Sequence, residues 1–189
     1  MSTPKMDGAQ ALIKTLADLG IEYVFGYSGG AAIPIFDALQ TVKTDMKFIL
    51  VRHEQGAVHM ADGYARATGK PAVVLVTSGP GAGNTVTGIM TAQMDSVPMI
   101  ILCGQQVTWM LGKDAFQEAD IFNITSPVVK HNFLVKSSNA LPRIAREAYH
   151  IATTGRPGPV LIDIPKDISQ GPFTGTFDEP MDLPGYNPS

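Results

Sequence analysis

The sequence has a single cysteine, no block of basic residues and no long apolar run. One cysteine, Cys103, excludes an internal disulfide and any metal site built from several thiolates. The formal net charge is −3 and the lysines and arginines are scattered, which gives no support for nucleic-acid binding. No stretch approaches the roughly 18 apolar residues of a membrane-spanning helix, and the N-terminus lacks an apolar signal core. We therefore expect a soluble protein that is cytoplasmic, or that lies in an organelle after loss of a segment not present here.

What the sequence does contain is a regular alternation of two apolar patterns. Hydrophobic residues make up 44% of the chain and charged residues 16%, which suits a packed core. Short β-rich runs alternate with segments of helical periodicity, a pattern that predicts a doubly wound parallel sheet. Cys103 lies in one of these runs, so we expect a buried thiol. The six predicted strands cover residues 21–25, 48–51, 72–77, 99–103, 133–135 and 160–164.

The helical segments and the end of the domain are marked by capping and breaking residues. Asp7 is a plausible N-cap of the first helix, and Gly20 would end it. From residue 169 onward, prolines and glycines interrupt every pattern. We predict one domain over residues 1–168 and a linker or tail over 169–189. The other predicted helices cover residues 31–39, 54–68, 82–94 and 141–152, and residues 104–127 should form a loop with one short helix.

The most informative segment is Leu-Val-Thr-Ser-Gly-Pro-Gly-Ala-Gly-Asn, residues 75–84. It is a predicted buried strand that runs into a glycine-rich turn and then a helix. A similar element covers residues 24–30, and His53-Glu54-Gln55-Gly56 follows the strand between them. The carboxyl ends of parallel strands meet at one edge of a sheet, where α/β proteins bind ligands. The three elements predict half of a cofactor site, with an ordinary tight turn as the alternative for the glycines.

Two common nucleotide-binding loops do not fit the glycine-rich turn. A Walker A loop needs a lysine after its second glycine, and here Gly83 is followed by Asn84. The dinucleotide fingerprint needs a third glycine, and Asn84 occupies that position as well. Both interpretations are therefore set aside.

Glu54 is the ionisable residue that these elements single out. It follows a predicted strand and opens a predicted helix, so its carboxylate would lie beside a positive helix dipole. Such a residue can help to cap the helix, or it can face a ligand from an apolar pocket, and both interpretations stay open. His53 and His59 are six residues apart, a spacing that does not place them on one helix face, so no metal site is predicted.

Eight ordered motifs between about residues 6 and 170 resemble those of thiamine-diphosphate enzymes, and most of all the N-terminal pyrimidine-binding domain of the acetolactate (acetohydroxyacid) synthase family. The resemblance implies a flavodoxin-like fold with helices on both faces of the sheet. The motifs are Glu-Tyr-Val-Phe-Gly-Tyr-Ser-Gly-Gly-Ala (22–31), His-Glu-Gln-Gly-Ala (53–57), Ala-Asp-Gly-Tyr-Ala-Arg (61–66), Thr-Ser-Gly-Pro-Gly (77–81), Asp-Ala-Phe-Gln-Glu (114–118), Lys-His-Asn (130–132), Gly-Arg-Pro-Gly-Pro (155–159) and Pro-Lys-Asp (165–167).

The resemblance implies a role for individual residues. An acid at the position of Glu54 hydrogen-bonds N1′ of the cofactor's aminopyrimidine ring, which promotes loss of the thiazolium C2 proton. By the same resemblance, the pyrimidine pocket would be lined by Pro80, Gly81 and Asn84, and it would be approached across a dimer interface by Tyr27 and Gly29. The residues near the substrate would be Gly30, Ala31, Phe116 and Gln117. Lys166 would lie at the access channel, and Arg156 would contact FAD.

The resemblance also implies an activity that this chain should not complete alone. Members of the family are transferases of branched-chain amino acid biosynthesis that decarboxylate pyruvate and join the hydroxyethyl unit to a second 2-keto acid. They are dimers or tetramers, and some bind a regulatory subunit or FAD. Their Mg²⁺ is held by a Gly-Asp-Gly motif in a separate C-terminal domain, and no Gly-Asp-Gly occurs here. The alternatives are another thiamine-diphosphate decarboxylase or carboligase, or a non-catalytic ligand-binding domain.

Three departures from the family pattern concern the loops around the expected site. Ser28 stands where the family usually has proline, and Gly83 where it usually has threonine. Residues 106–110 read Gln-Val-Thr-Trp-Met in place of Val-Pro-Arg-Arg-Met, in a segment that shapes the substrate channel. The acceptor keto acid is therefore left open by the sequence.

Overall fold

The computed structural model describes residues 6–188, which form one parallel sheet of six strands. The strand order is β2-β1-β3-β4-β6-β5, and every pairing is parallel. This confirms the predicted flavodoxin-like α/β class. The strands are β1 (Tyr23–Gly26), β2 (Lys47–Leu50), β3 (Ala72–Val76), β4 (Met99–Gln105), β5 (His131–Leu134) and β6 (Pro159–Pro165).

Helices cover both faces of the sheet. One face packs against α1, α2 and α7, and the other against α3, α5 and α6. Among residues 6–188 no helix combines the length and the apolar character needed to cross a bilayer. The helices are α1 (Gly8–Asp18), α2 (Ile33–Thr41), α3 (Glu54–Thr68), α4 (Pro80–Gly83), α5 (Val86–Met94), α6 (Ile121–Thr125), α7 (Leu141–Thr153) and α8 (Lys166–Gln170).

The central strands β3, β4 and β6 are buried along their whole length. Their side chains alternate between the two cores: Val73 and Leu75 join the α1 side, whereas Val74 and Val76 join the α3 side. Burial on both faces explains why these strands are continuous apolar runs rather than alternating ones. Cys103 is fully buried on the α3 side, as expected.

The predicted helix over residues 82–94 is two helices in the structure. α4 ends at Gly83, and α5 begins at Val86. The Thr85 hydroxyl donates to the Ala82 carbonyl at 2.6 Å, which satisfies an acceptor at the break through a side chain. The break determines which way the side chain of Asn84 points.

The segment after residue 168 packs against the rest of the chain. Ser169 is fully buried within α8, and Phe173 donates its backbone N–H to the Met6 carbonyl at 2.9 Å. Farther on, the Asp182 N–H donates to Glu147 of α7 at 2.7 Å. The domain boundary at residue 168 stays a prediction, and the residues that follow it are ordered against α1 and α7.

A capping box fixes the start of α1. Asp7 accepts a hydrogen bond from the Gln10 N–H at 2.8 Å, and its own N–H donates to the Gln10 side chain. Gly20, with φ of +80°, follows the end of the helix, as the sequence predicts. At the start of α1, the capping box therefore satisfies the backbone N–H groups of Asp7 and Gln10 with side-chain acceptors.

Loss of this cap gives a first testable prediction. Asp7→Ala should lower the free energy of unfolding by about 1 kcal/mol, the usual cost of removing an N-cap carboxylate. Asp18→Ala is the matched control, because Asp18 forms only an exposed pair with Lys14, worth at most about 0.5 kcal/mol. Urea denaturation of the two variants compares these losses, and equal losses would contradict the role assigned to the cap.

Candidate cofactor-binding site

Glu54 is the first residue of α3, and its carboxylate does not cap that helix. The N-cap is His53, whose Nδ1 accepts a hydrogen bond from the Gln55 N–H at 3.2 Å. Glu54 is only 8% exposed, although it is an acid in a loop-to-helix transition. Its Oε2 accepts a hydrogen bond from Asn84 Nδ2 at 2.9 Å. The carboxylate is therefore held from the side by a neutral amide, close to the favourable N-terminal dipole of α3.

A space lies in front of the other carboxylate oxygen. A Cβ atom at Gly81 would come within 3.4 Å of Glu54 Oε1 and within 2.8 Å of the Thr77 methyl group. Among residues 6–188 no protein group donates a hydrogen bond to Oε1. Glycine at position 81 keeps this acceptor accessible to a donor that the chain itself does not supply.

Thr77 connects the two glycine-rich elements. Its hydroxyl accepts a hydrogen bond from the Ala31 N–H at 3.3 Å. A Cβ atom at Gly29 would collide with the same side chain, which also borders Gly81. Gly29 and Gly81 therefore border the same Thr77 side chain. Within one chain, that side chain separates Gly29 from the space beside Glu54. Tyr27, which is 43% exposed, begins this loop.

A second cavity, of about 210 Å³, lies at the same edge of the sheet. It gathers all five residues predicted for the substrate region: Gly30, Ala31, Phe116, Gln117 and Lys166. They come from three separate segments that meet beyond the carboxyl ends of β1, β4 and β6.

Four polar residues of this region escaped the sequence analysis. Ser78, Gln105 and Gln106 line the cavity, and Thr77 joins the loops behind it. Each lies at or just after the end of a buried strand, β3 or β4. That position is itself the signal that could have identified them, because polar side chains there face the ligand edge of a parallel sheet.

Gly79 allows the loop that carries Phe116 and Gln117 to approach β3. Its φ of +60° is in the region that favours glycine, and a Cβ atom there would overlap the backbone carbonyl of Gln117. The Phe116 carbonyl accepts a hydrogen bond from Gln106 Nε2 at 2.6 Å. The Phe116 ring itself is 81% exposed. The glycine and the glutamine together set how close the loop lies to the strand.

Arg156 is not brought together with the other predicted residues. It precedes β6 and therefore lies at the amino edge of the sheet, opposite Glu54. Its Nε donates to Ser96 Oγ at 2.8 Å, and its Nη2 donates to the carbonyls of Gln93 and Met94. A cation placed on the last carbonyls of α5 stabilises that helix end.

The remaining titratable groups do not form a metal site. In the part of the chain that the structure describes, no three His, Cys, Asp or Glu side chains are placed to hold a metal ion. Burial raises the pKa of the Cys103 thiol well above its ordinary value, so this side chain stays neutral. The charged and amide side chains at this edge of the sheet include Glu54, Asn84, Gln105 and Lys166.

The fold and the open acceptor at Glu54 define a cofactor-binding α/β domain, and comparison with known proteins names its family. Residues 6–124 match the family model of the thiamine pyrophosphate enzyme, N-terminal TPP binding domain. The chain therefore belongs to the thiamine pyrophosphate (thiamine diphosphate) enzymes and is an N-terminal domain of that family.

The similar proteins with curated names are acetolactate synthases. The chain is 54% identical over 187 residues to the acetolactate synthase large subunit of Haemophilus influenzae, covering 98% of this chain and 32% of that protein. It is 51% identical over 188 residues to the isozyme 3 large subunit of Escherichia coli (97% and 32%). It is 52% identical over 185 residues to the acetolactate synthase of Mycobacterium bovis (98% and 30%). The chain thus spans about a third of the length of these relatives.

The close approach at Gly79 gives a second testable prediction. Gly79→Ala should cost about 1–3 kcal/mol of unfolding free energy, because alanine is strained at this φ and its methyl group meets the Gln117 carbonyl. Gly83→Ala is the matched control, since its Cβ meets nothing within 4 Å and it lies in α4. That variant should be neutral or stabilised by up to about 1 kcal/mol. Urea denaturation distinguishes the two, and equal behaviour would refute the explanation.

Proposed function

We propose that this chain is the thiamine-diphosphate-binding part of an acetolactate synthase. The complete enzyme would decarboxylate pyruvate and join the two-carbon unit to a second 2-keto acid. The observation that carries the proposal is the buried Glu54 carboxylate, which is oriented by Asn84 and open toward the space that Gly81 leaves free. The identity of 50–54% to acetolactate synthases over nearly the whole chain supports the same activity.

The proposed work of the protein is to orient and activate the cofactor. When bound, thiamine diphosphate supplies a carbon centre that can stabilise the negative charge left by decarboxylation. Glu54 Oε1 would hold a proton shared with N1′ of the aminopyrimidine ring. Asn84 would orient the carboxylate toward the cofactor, and Pro80 and Gly81 would line the pocket for the pyrimidine. Only a carboxylate or carboxylic acid can exchange a proton at this position, since an amide side chain cannot.

The cavity beyond β4 is proposed as the substrate region. Lys166 offers a positive charge for the carboxylate of a 2-keto acid, and Phe116 offers an apolar surface. Ser78 and Gln106 add hydrogen-bonding groups at the same cavity. Tyr27 is proposed to complete the cofactor pocket together with a second copy of the enzyme.

The remaining expectations concern the metal ion, the diphosphate group, FAD and the other subunits of the enzyme. We propose that Mg²⁺ and the diphosphate group are held by the remainder of the enzyme, and that Arg156 contacts FAD where a member of the family binds it. The Haemophilus influenzae and Escherichia coli relatives are named large subunits, which supports a homo-oligomer that takes up a separate regulatory subunit.

Replacement of the proposed proton-sharing acid tests the assignment directly. In the full-length enzyme, Glu54→Gln should lower kcat for acetolactate formation by about 10²–10⁴-fold, because the amide keeps the shape but cannot exchange the proton. Glu22→Gln is the control, since Glu22 is an exposed acid paired with Lys70 and Tyr64. Steady-state kinetics and thermal unfolding should show a loss of activity confined to the Glu54 variant, with folding preserved in both. Unchanged activity of that variant would disprove the role.

The chain by itself should bind the cofactor weakly. It supplies the pyrimidine half of the proposed site but no Gly-Asp-Gly motif for the metal and diphosphate. Calorimetric titration of the 189-residue chain with thiamine diphosphate and Mg²⁺ should give a Kd of about 1 mM or weaker. A Kd in the low micromolar range would contradict the division of the site between two domains.

A further inference from the structure

The proposed cofactor chemistry does not use the most deeply buried carboxyl group at this edge of the sheet. Asp163 lies on β6 and is only 2% exposed. Its Oδ2 accepts a hydrogen bond from Gln105 Nε2 at 3.2 Å, and its Oδ1 has no partner within residues 6–188. The side chain borders a cavity of about 320 Å³ beyond the ends of β4, β5 and β6. A buried carboxyl group with one unsatisfied oxygen is costly for the fold and calls for a physical reason.

Gln105 joins Asp163 to the neighbouring loop. Its Nε2 also donates to the Ala119 carbonyl at 2.9 Å, and its Oε1 accepts the Gln106 N–H at 2.8 Å. These three contacts settle the orientation of the amide, because only the nitrogen can donate to two acceptors. Gln105 is itself 2% exposed, so the loss of a partner would leave a buried polar group unsatisfied.

The loop that Gln105 holds is the one that carries Phe116 and Gln117. Within residues 112–119, the Glu118 carboxylate accepts hydrogen bonds from the N–H groups of Gly112 and Ala115, which holds the loop in one conformation. Two glutamines tie this loop to β4, with Gln106 bonded to the Phe116 carbonyl and Gln105 bonded to the Ala119 carbonyl. The Gln105 bond is the more buried of the two, and Gln105 Nε2 also donates to Asp163.

We propose that Asp163 is a positioning residue, whose carboxyl group holds the loop of residues 112–119 closed through Gln105, and that ionisation of this buried carboxyl group favours the opened loop, in which water solvates the charge. The statement that the loop borders the substrate rests on the proposed function. The positioning of the loop by Gln105 does not rest on the proposed function. The protease experiment measures this positioning without any measurement of catalysis.

The groups around Asp163 are mostly neutral or acidic, which disfavours its charge. On β4 its neighbours are Gln105 and the neutral thiol of Cys103, and the loop side contributes the acids Glu118 and Asp120. The helices α5 and α6 carry no ionisable side chain, and His131 of β5 faces another cavity beside Ile151 of α7. Lys166 lines the adjacent cavity, which shares Gln105, and no lysine or arginine of residues 6–188 forms an ion pair with Asp163.

Burial, reinforced by the negative charge of Asp120, raises the pKa of Asp163 to about 7 against a partial opposing effect of the Gln105 hydrogen bond. In an opened loop, where water reaches the carboxyl group, the pKa returns toward its ordinary value of 3.8. Between these two values the closed form binds the extra proton, so the closed form is lost progressively as the pH rises toward 7. Above pH 7 both forms are ionised and opening no longer depends on pH.

Tryptic cleavage after Lys113 reports on opening, since this lysine lies in the loop and is exposed. Lys43 lies in the exposed turn before β2, far from Asp163 in the fold, and gives an internal reference within the same digest. The ratio of the two cleavage rates cancels the pH dependence of the protease itself. In the unmodified chain this ratio should rise by about fivefold between pH 6 and pH 7 and approach a plateau above pH 7.5. A ratio that stays constant from pH 6 to pH 9 would overturn the proposal.

Three variants distinguish the effect of the Asp163 carboxyl group on loop opening from the effects of its neighbours. Asp163→Asn, which mimics the neutral form, should keep the low ratio of the unmodified chain at pH 6 at every pH. Asp163→Leu removes the acceptor for Gln105 and should give a high ratio at every pH. Asp120→Asn keeps the cap of α6 and should keep the rise, shifted to lower pH. Persistence of the rise in Asp163→Asn, or equal protection in Asp163→Leu and Asp163→Asn, would refute the role of Asp163.

Discussion

The site depends on the parallel pairing of β1 with β3. In this register Gly26 faces Leu75 so closely that a Cβ atom at position 26 would overlap the Leu75 carbonyl. The same carbonyl accepts the Tyr27 N–H at 3.2 Å, just beyond the end of β1. Because both strands end together, the two glycine-rich loops emerge side by side and Thr77 can bridge them. Every close approach around Glu54 and Gly81 follows from that pairing.

The sequence predicted the helices and strands that have a clear apolar period and clear end signals. The best example is α3, which the sequence correctly predicts to begin at Glu54. It did not predict the break at residues 84–85, since apolar periodicity runs through it. Nor did it predict the contact of Asn84 with Glu54, which joins residues 30 positions apart. Met90 and Met94 of α5 are 48% and 74% exposed, so the apolar residues of this helix do not all join the core.

The glycines of the second loop serve packing rather than a phosphate cradle. Gly79 admits the backbone of Gln117, and Gly81 leaves open the space before the Glu54 carboxylate. Both functions need the absence of a side chain, and only the first also needs a positive φ. A pattern of glycines in the sequence cannot distinguish these cases, since the distinction depends on residues that approach from β2 and from the loop after β4. The missing lysine and third glycine exclude the common nucleotide loops from the sequence alone, whereas the separate roles of Gly79 and Gly81 are visible only in the structure.

Glu54, Gln105 and Asp163 are buried carboxyl and amide side chains at the carboxyl edge of the sheet, whose central strands are otherwise apolar. Glu54 has one protein donor and Asp163 has one, so each keeps an oxygen that the fold does not satisfy. An apolar residue at either position would pack without that penalty. The two differ in where the free oxygen lies, since that of Glu54 faces the space left by Gly81, whereas that of Asp163 is sealed inside. An unsatisfied oxygen that is accessible suits the binding of a ligand, and one that is sealed suits control of the segment that covers it.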